Sequence, residues 1–463
     1  MTAYVVFIAL FVSAHYALRR GLEFAFLYVW IPILLCLPFG FTAHIPMVPI
    51  RTFCQAAVVP ILVILVRDHG HRLRWGRMEM LMVSYAVWRV IADYDSRGYK
   101  DAQNYAFYML SCVLGPYLIG AYVIRNRAMD IKTAKLFVLI FLLFFPFFIY
   151  EAKFWVSPIF KLLSPLFPGA FSGLSMRYGM ARTAGTFEHP ILACIMIIAV
   201  YRLHRWLAWT GEWKQPQAGL LGRLQAWSRP IPGSFALKIS IVLIVMALMT
   251  LSRGPWIGGL AGAILAAAGN WKHRKQAMLV VLVVFVVGGI GGKLALDAYT
   301  SAENGQVIAE EAQTMIYRKV MIEKYVGFIF ERPWLGWGLT TVPVIKGMES
   351  IDNALFLMAL QHGMLAPVIF VVMFAYAIGT QLAHGLKSPA GIAPLGFTFS
   401  GIYLMCFFSF TTVYMGAQTE PLLFLLLGWG EGMKARAEPS AAAPSLTLRP
   451  SVAPNAGFRR LLT

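Results

Sequence analysis

Apolar runs of roughly 15 to 20 residues, each near the length that crosses about 30 Å of hydrocarbon, recur along nearly the whole chain. They fall near residues 1–18, 24–41, 50–67, 79–93, 105–124, 134–150, 189–203, 237–251, 255–270, 277–295, 364–383, 391–414 and 418–433. A backbone in lipid must satisfy its own polar groups, so these runs are expected to be helices of an all-α polytopic transmembrane bundle with about twelve or thirteen spans. Composition agrees, because 59% of the 463 residues are hydrophobic and only 13% are charged, which is too apolar for a soluble domain of this length.

Short basic connections set the expected orientation. Arg19 and Arg20, the Arg67–Arg77 stretch, Arg125–Lys135 and Lys272–Lys275 fall on alternate loops and are assigned to the cytoplasmic side. The 203–236 connection joins them, with Trp206, Trp209, Trp213 and Trp227 interleaved among basic residues as in an interfacial segment. The first run has arginines after it rather than before it, so it is expected to be a retained helix and not a cleaved signal. The organisation is then N-terminal spans at 1–150, an external loop at 151–188, spans at 189–295, a large external loop at 296–355 with an amphipathic helix, spans at 356–433, and a disordered tail at 434–463 rich in Ala, Pro and Ser. The net charge of +19 suits contact with anionic membrane lipids; no basic, aromatic-bearing soluble module argues for nucleic acid. Cys36, Cys54, Cys112, Cys194 and Cys406 lie within runs at no metal-type spacing and are taken as small core residues.

Both external loops carry more cations than a passive connection needs. The first ends in RYGMARTAGTFEHP, placing Arg177, Arg182, Glu188 and His189 at a membrane surface, with Gly185 permitting a turn and Pro190 suited to a first helical turn. A polar cap that snorkels to the interface explains this segment about as well as chemistry does. A tight turn at Thr250–Pro255 adds Arg253, where backbone N–H groups near a helix start would suit an anion. In the large loop, 310–329 has a helical rhythm, with Met315, Ile322, Val326 and Ile329 expected on one face and Arg318 near it. That helix should stop before Pro333, and Glu349, Ser350, Asp352 and Asn353 then open another, with Asp352 or Ser350 as its cap. Arg89 and Asp93 four residues on share a helix face and can pair, either as a structural pair or as part of the site, and Glu420 starts the last span as either a cap or a site residue. Arginines favour bidentate engagement of phosphate oxygens, so a lipid diphosphate is the ligand these patches suit.

RTAGTFEHP from Arg182, TLSRGPWIGGLAG from Thr250, Arg318 followed by ERPWLGWG from Glu331, and DNALFLMALQHGMLAP from Asp352 together resemble the bacterial O-antigen ligase and Wzy-type O-antigen polymerase family. The resemblance spans roughly residues 130–385, with the motifs in order. It implies a GT-C-like, metal-independent membrane glycosyltransferase of the bacterial inner membrane, needing no cofactor and using undecaprenyl diphosphate-linked oligosaccharide at the periplasmic face. It also implies that arginines of the two external loops hold the diphosphate, here Arg177, Arg182, Arg253 and Arg318. Ligases of the family usually carry a His-Asn pair where this chain has Asp352 and Asn353, so the expectation is a polysaccharide polymerase, with ligation to lipid A-core as the alternative. Candidate bases for the acceptor hydroxyl are Asp352, His189, Glu349 and Glu188. A chain-length regulator is a possible partner. The rival of another class is a flippase for lipid-linked glycans, which many helices and intramembrane charge would also serve.

Overall fold

A computed structural model describes residues 2–43, 45, 48–70, 73, 75–167, 175–302, 310–348, 350–389 and 393–436. Glu349, the segments 168–174 and 303–309 of the two large loops, and the tail from 437 lie outside the described residues. Helices dominate, in the order α1 (Val6–Arg20), α2 (Leu22–Cys36), α3 (Phe53–His69), α4 (Arg77–Arg97), α5 (Tyr99–Val123), α6 (Arg127–Phe154), α7 (Pro158–Leu163), α8 (Pro190–Trp209), α9 (Gly219–Trp227), α10 (Phe235–Met249), α11 (Arg253–Gly269), α12 (Arg274–Ala302), α13 (Glu310–Glu331), α14 (Ala354–His362), α15 (Leu365–Lys387), α16 (Leu395–Phe410) and α17 (Thr419–Lys434). Every apolar run of the sequence falls on a helix.

The ends of these helices follow local chemistry. Thr52 and Gln55 form a reciprocal capping box at the start of α3, Asn126 caps α6, and Pro190 occupies the first turn of α8. Four helices, α5, α6, α8 and α15, are each long and apolar enough to cross a membrane, and α2, α10 and α16 are shorter apolar helices. Large apolar side chains stay exposed on outward faces, among them Phe11, Val63, Leu260, Val283 and Val287. Such surface needs lipid around it. The chain is an all-α polytopic membrane protein.

The tightest crossings are made by residues without side chains. At the α11–α16 crossing a Cβ on Gly262 would overlap the Gly401 carbonyl, and one on Gly401 would overlap that of Gly262. Small residues of this kind let helices gain dispersion contacts where lipid offers no hydrophobic drive. Gly401→Val is expected to cost about 1–3 kcal/mol or more through overpacking, read as a lower unfolding midpoint in detergent. Gly379→Ala, on the open face of α15, should not lower it; equal midpoints for the two variants would contradict the crossing's role.

Three expectations about side chains need correction. Arg89 does not pair with Asp93: Asp93 is taken by Arg97 one turn on, at 2.7 Å, while the Arg89 guanidinium reaches across to Glu420 at 2.8 Å. Glu420 is therefore a tertiary partner, also receiving the Tyr108 hydroxyl at 2.5 Å. On α13 the buried face is Met321, Tyr325 and Ile329, whereas Ile322 and Val326 are exposed. Arg318, three residues before Met321, thus shares the inward face. Of the four tryptophans expected at an interface, Trp206 and Trp213 are core residues whose indole N–H groups donate to the Ala393 and His204 carbonyls.

Candidate functional site

The segment between α6 and α8 folds into a two-residue hairpin, β1 (Met176–Arg177) and β2 (Met180–Ala181), with Arg177 opposite Met180. Its turn, Tyr178–Gly179, has positive φ at both positions, 54° and 70°, the geometry that matches strand twist. The sequence held no Asn-Gly or Asp-Gly signal, and this hairpin was not expected.

The hairpin clamps the α10–α11 turn. Arg177 Nη1 donates to the Leu251 carbonyl at 2.8 Å, and Arg182 donates through Nε to the Thr250 carbonyl at 3.2 Å and through Nη2 to Ser252 Oγ at 3.0 Å. The Thr183 N–H adds a bond to the Met249 carbonyl. Leu251 is held with φ at 48°, a left-handed conformation that costs a non-glycine residue about 1–3 kcal/mol and persists only where its surroundings over-determine it. Arg253 opens α11 on the exposed side, its guanidinium 5.4 Å above the Tyr178 ring. The four candidate arginines are therefore unequal. Arg177 and Arg182 are partly committed to shaping the turn, and Arg253 lies at the rim.

Arg318 arrives from α13. Its Nη2 donates to the Thr412 carbonyl at 2.9 Å, and its Nε–H is buried without a partner among the described residues. Asp352 stands close enough to favour its charged form, while burial and the charge of Arg177 oppose it. The same pattern holds for Arg182, which burial and the neighbouring Arg177 push down to about 10. Crowded, partly dehydrated cations of this kind create a site that an anion would relieve.

Asp352 is not the cap of α14, nor is Ser350. Asn353 is, its side chain accepting the Phe356 N–H at 3.0 Å. The half-buried Asp352 carboxylate accepts the Ser350 hydroxyl at 2.8 Å and lies within electrostatic reach of Arg318, His189 and Tyr414. Two candidates from opposite halves of the chain thus meet. His189 caps α8 through Nδ1, which accepts the Ile191 N–H at 3.2 Å, and its ring lies 6.4 Å from that of Tyr414. Burial and the charges of Arg182 and Arg177 push it down to about 4, with Asp352 opposing. It is neutral at pH 7 and a weak base. Because an unfolded histidine titrates near about 6.5, the unfolded chain takes up a proton between the two values that the native state refuses. Stability is full above that window and falls as pH drops through it. His189→Gln should shrink the fall in unfolding midpoint between pH 7.5 and pH 4.5; an unchanged fall would contradict the assignment.

The Glu188 carboxylate accepts the Ala417 N–H, so it braces the 411–418 segment, and its charge reaches Tyr414. That segment was not singled out in the sequence. It joins α16 to α17 and touches three parts of the site: Arg318 holds the Thr412 carbonyl, the Ala354 N–H holds the Val413 carbonyl at 3.1 Å, and Tyr414 faces His189. The polar TTVYMGAQ between two apolar runs was the available signal. A larger cavity of about 520 Å³ opens at the opposite end of the bundle, beside Glu79, Arg125 and Arg436, away from all the candidates.

Comparison with known families matches residues 239–371 to the model described as O-antigen ligase. The matched segment runs from α10 into α15 and contains Arg253, Arg318 and Asp352; Arg177, Arg182, Glu188 and His189 precede it. A search of curated proteins finds no match. The match speaks for a glycosyltransferase-type activity and gives the transport alternative no support. Residues 239–371, which supply the α10–α11 turn, Arg318 and Asp352, are thus similar to the O-antigen ligase family.

Proposed function

We propose that this protein is a polysaccharide polymerase of the bacterial inner membrane, moving a glycan from undecaprenyl diphosphate to a hydroxyl of the next lipid-linked repeat unit at the periplasmic face. The observation that supports the reading is that Arg177 lies within electrostatic reach of both Arg182 and Arg318, and Asp352 within reach of Arg318, so that cations outnumber the carboxylate beside them. In the reaction, the acceptor oxygen bonds to the anomeric carbon, the bond from that carbon to the diphosphate oxygen breaks, and the acceptor proton passes to Asp352. Arg318, with Arg177 and Arg182 behind it, stabilises the charge that grows on the departing diphosphate, a role in which guanidinium groups serve without a metal ion. Asp352 in the place where family ligases resemble one another in carrying histidine favours polymerisation over ligation to lipid A-core.

The test is mass analysis of lipid-linked glycans in cells lacking the gene. Single repeat units accumulating outside, and cleared by the wild-type gene, support the polymerase. Long lipid-linked chains awaiting transfer would mean a ligase, and units trapped on the inner leaflet would overturn both.

A further inference from the structure

A second cavity, about 370 Å³, lies on the other side of the 411–418 segment, at the same end of the bundle as the arginine cluster. It is walled by the end of α4, the first turns of α5, the start of α17 and one face of α14. That volume falls within the range of small-molecule sites. Its charge differs in kind from that of the first site. Three arginines, Arg51, Arg89 and Arg97, are balanced by Glu420, Asp101 and the Asp93 that pairs with Arg97. An anion gains nothing from such a lining, whereas a ligand with many hydroxyls can both donate to the carboxylates and accept from the guanidinium groups.

Two further observations point to such a ligand. Arg89, 7% exposed and lining the cavity, keeps its Nε–H buried with no partner among the described residues. Tyr105 is buried against Tyr108 and His362, which leaves the half-buried Tyr108 as the aromatic surface on which the C–H face of a pyranose can pack. Met415, Ala417 and Glu420 come from the segment or helix that also touches the arginine cluster, and Leu357 and Gln361 come from α14, whose N-terminal approach carries Asp352. Both connections lead from the cavity to the proposed base.

We propose that this cavity binds an uncharged sugar, the acceptor end of the glycan, with Asn104 and Gln361 as recognition groups and the Arg89–Glu420–Tyr108 assembly as the fixed floor. The inference rests on the transferase reading above, since it gives that reaction its acceptor site. Asn104 and Gln361 are half-buried, so their side chains can be removed without unpairing a buried charge.

The experiment uses the full-length protein in lipid nanodiscs with two probes: the dephosphorylated, uncharged oligosaccharide repeat released by mild acid from the cell's own lipid-linked glycans, and inorganic pyrophosphate. Wild type should bind both saturably. Asn104→Ala and Gln361→Ala should each weaken the oligosaccharide about tenfold, the scale of a lost hydrogen bond in a desolvated site, and leave pyrophosphate unchanged. Arg318→Ala should do the reverse. Thermal unfolding of each variant separates lost binding from lost fold, and either of the two polar variants suffices alone. Absence of saturable oligosaccharide binding by wild type, or folded variants that bind it normally, overturns the inference. Loss of pyrophosphate binding by wild type would overturn the diphosphate site instead.

Discussion

Arg318→Ala will lower glycan transfer by at least about a hundredfold while the protein stays in the membrane at its normal amount, the magnitude expected when a preorganised donor to developing charge is removed. Arg177 and Arg182 spend donors on the Leu251 and Thr250 carbonyls and on Ser252, so their loss would also deform the α10–α11 turn. Arg318 uses one Nη on the Thr412 carbonyl and holds its Nε–H buried and unmatched, which makes it the cation best placed to meet a diphosphate oxygen. Arg318→Lys keeps the charge but not the planar fork, and should recover only part of the rate. Arg253→Ala, at the exposed rim above Tyr178, should cost less than about tenfold, as a partly solvated charge contributes little. Transfer by Arg318→Ala within a few-fold of wild type would remove this arginine from the mechanism.

Asp352→Asn will cost about 10²- to 10⁴-fold in transfer, the range for loss of a positioned general base. The competing structural explanation, a helix cap, is assigned by the hydrogen bonds to the next residue: Asn353 receives the Phe356 N–H, whereas Asp352, among the described residues, receives the Ser350 hydroxyl. The neighbouring pair therefore separates the two roles. Asn353→Ala should lower stability by about 1 kcal/mol with no comparable loss of rate, and Asp352→Asn should do the opposite. Steady-state transfer rates beside unfolding midpoints check both. If Asp352→Asn melts lower and transfers normally, the carboxylate is structural.

The helices were legible because each apolar run is long enough to state its own structure, and Pro190, Pro333 and the glycines at 336 and 338 marked their ends. The convergence of Arg177, Arg182 and Arg318 was legible only as a bias of residue type toward two loops. What escaped was set by distance in the chain. Arg89 pairs with Glu420 because α17 brings that carboxylate within 2.8 Å of the guanidinium, while Asp93 is already engaged by Arg97. The stripe on α13 was misjudged because Tyr325 carries enough apolar surface to join Met321 and Ile329 in the core, and its hydroxyl finds the Met348 carbonyl. The 411–418 segment was passed over since no charged residue marks it, yet its carbonyl and amide groups hold Arg318, α14 and Glu188 in register.

In the proposed reaction, one end of this bundle joins lipid-linked repeats to each other. Its most direct test is purified protein in liposomes supplied only with undecaprenyl diphosphate-linked single repeats, with product length read by mass. The expected product is a ladder of longer glycans still attached to the lipid diphosphate, with free undecaprenyl diphosphate released once per added unit. Repeats that remain single with the folded wild-type protein, and lengthen or transfer only when lipid A-core is added, would contradict it.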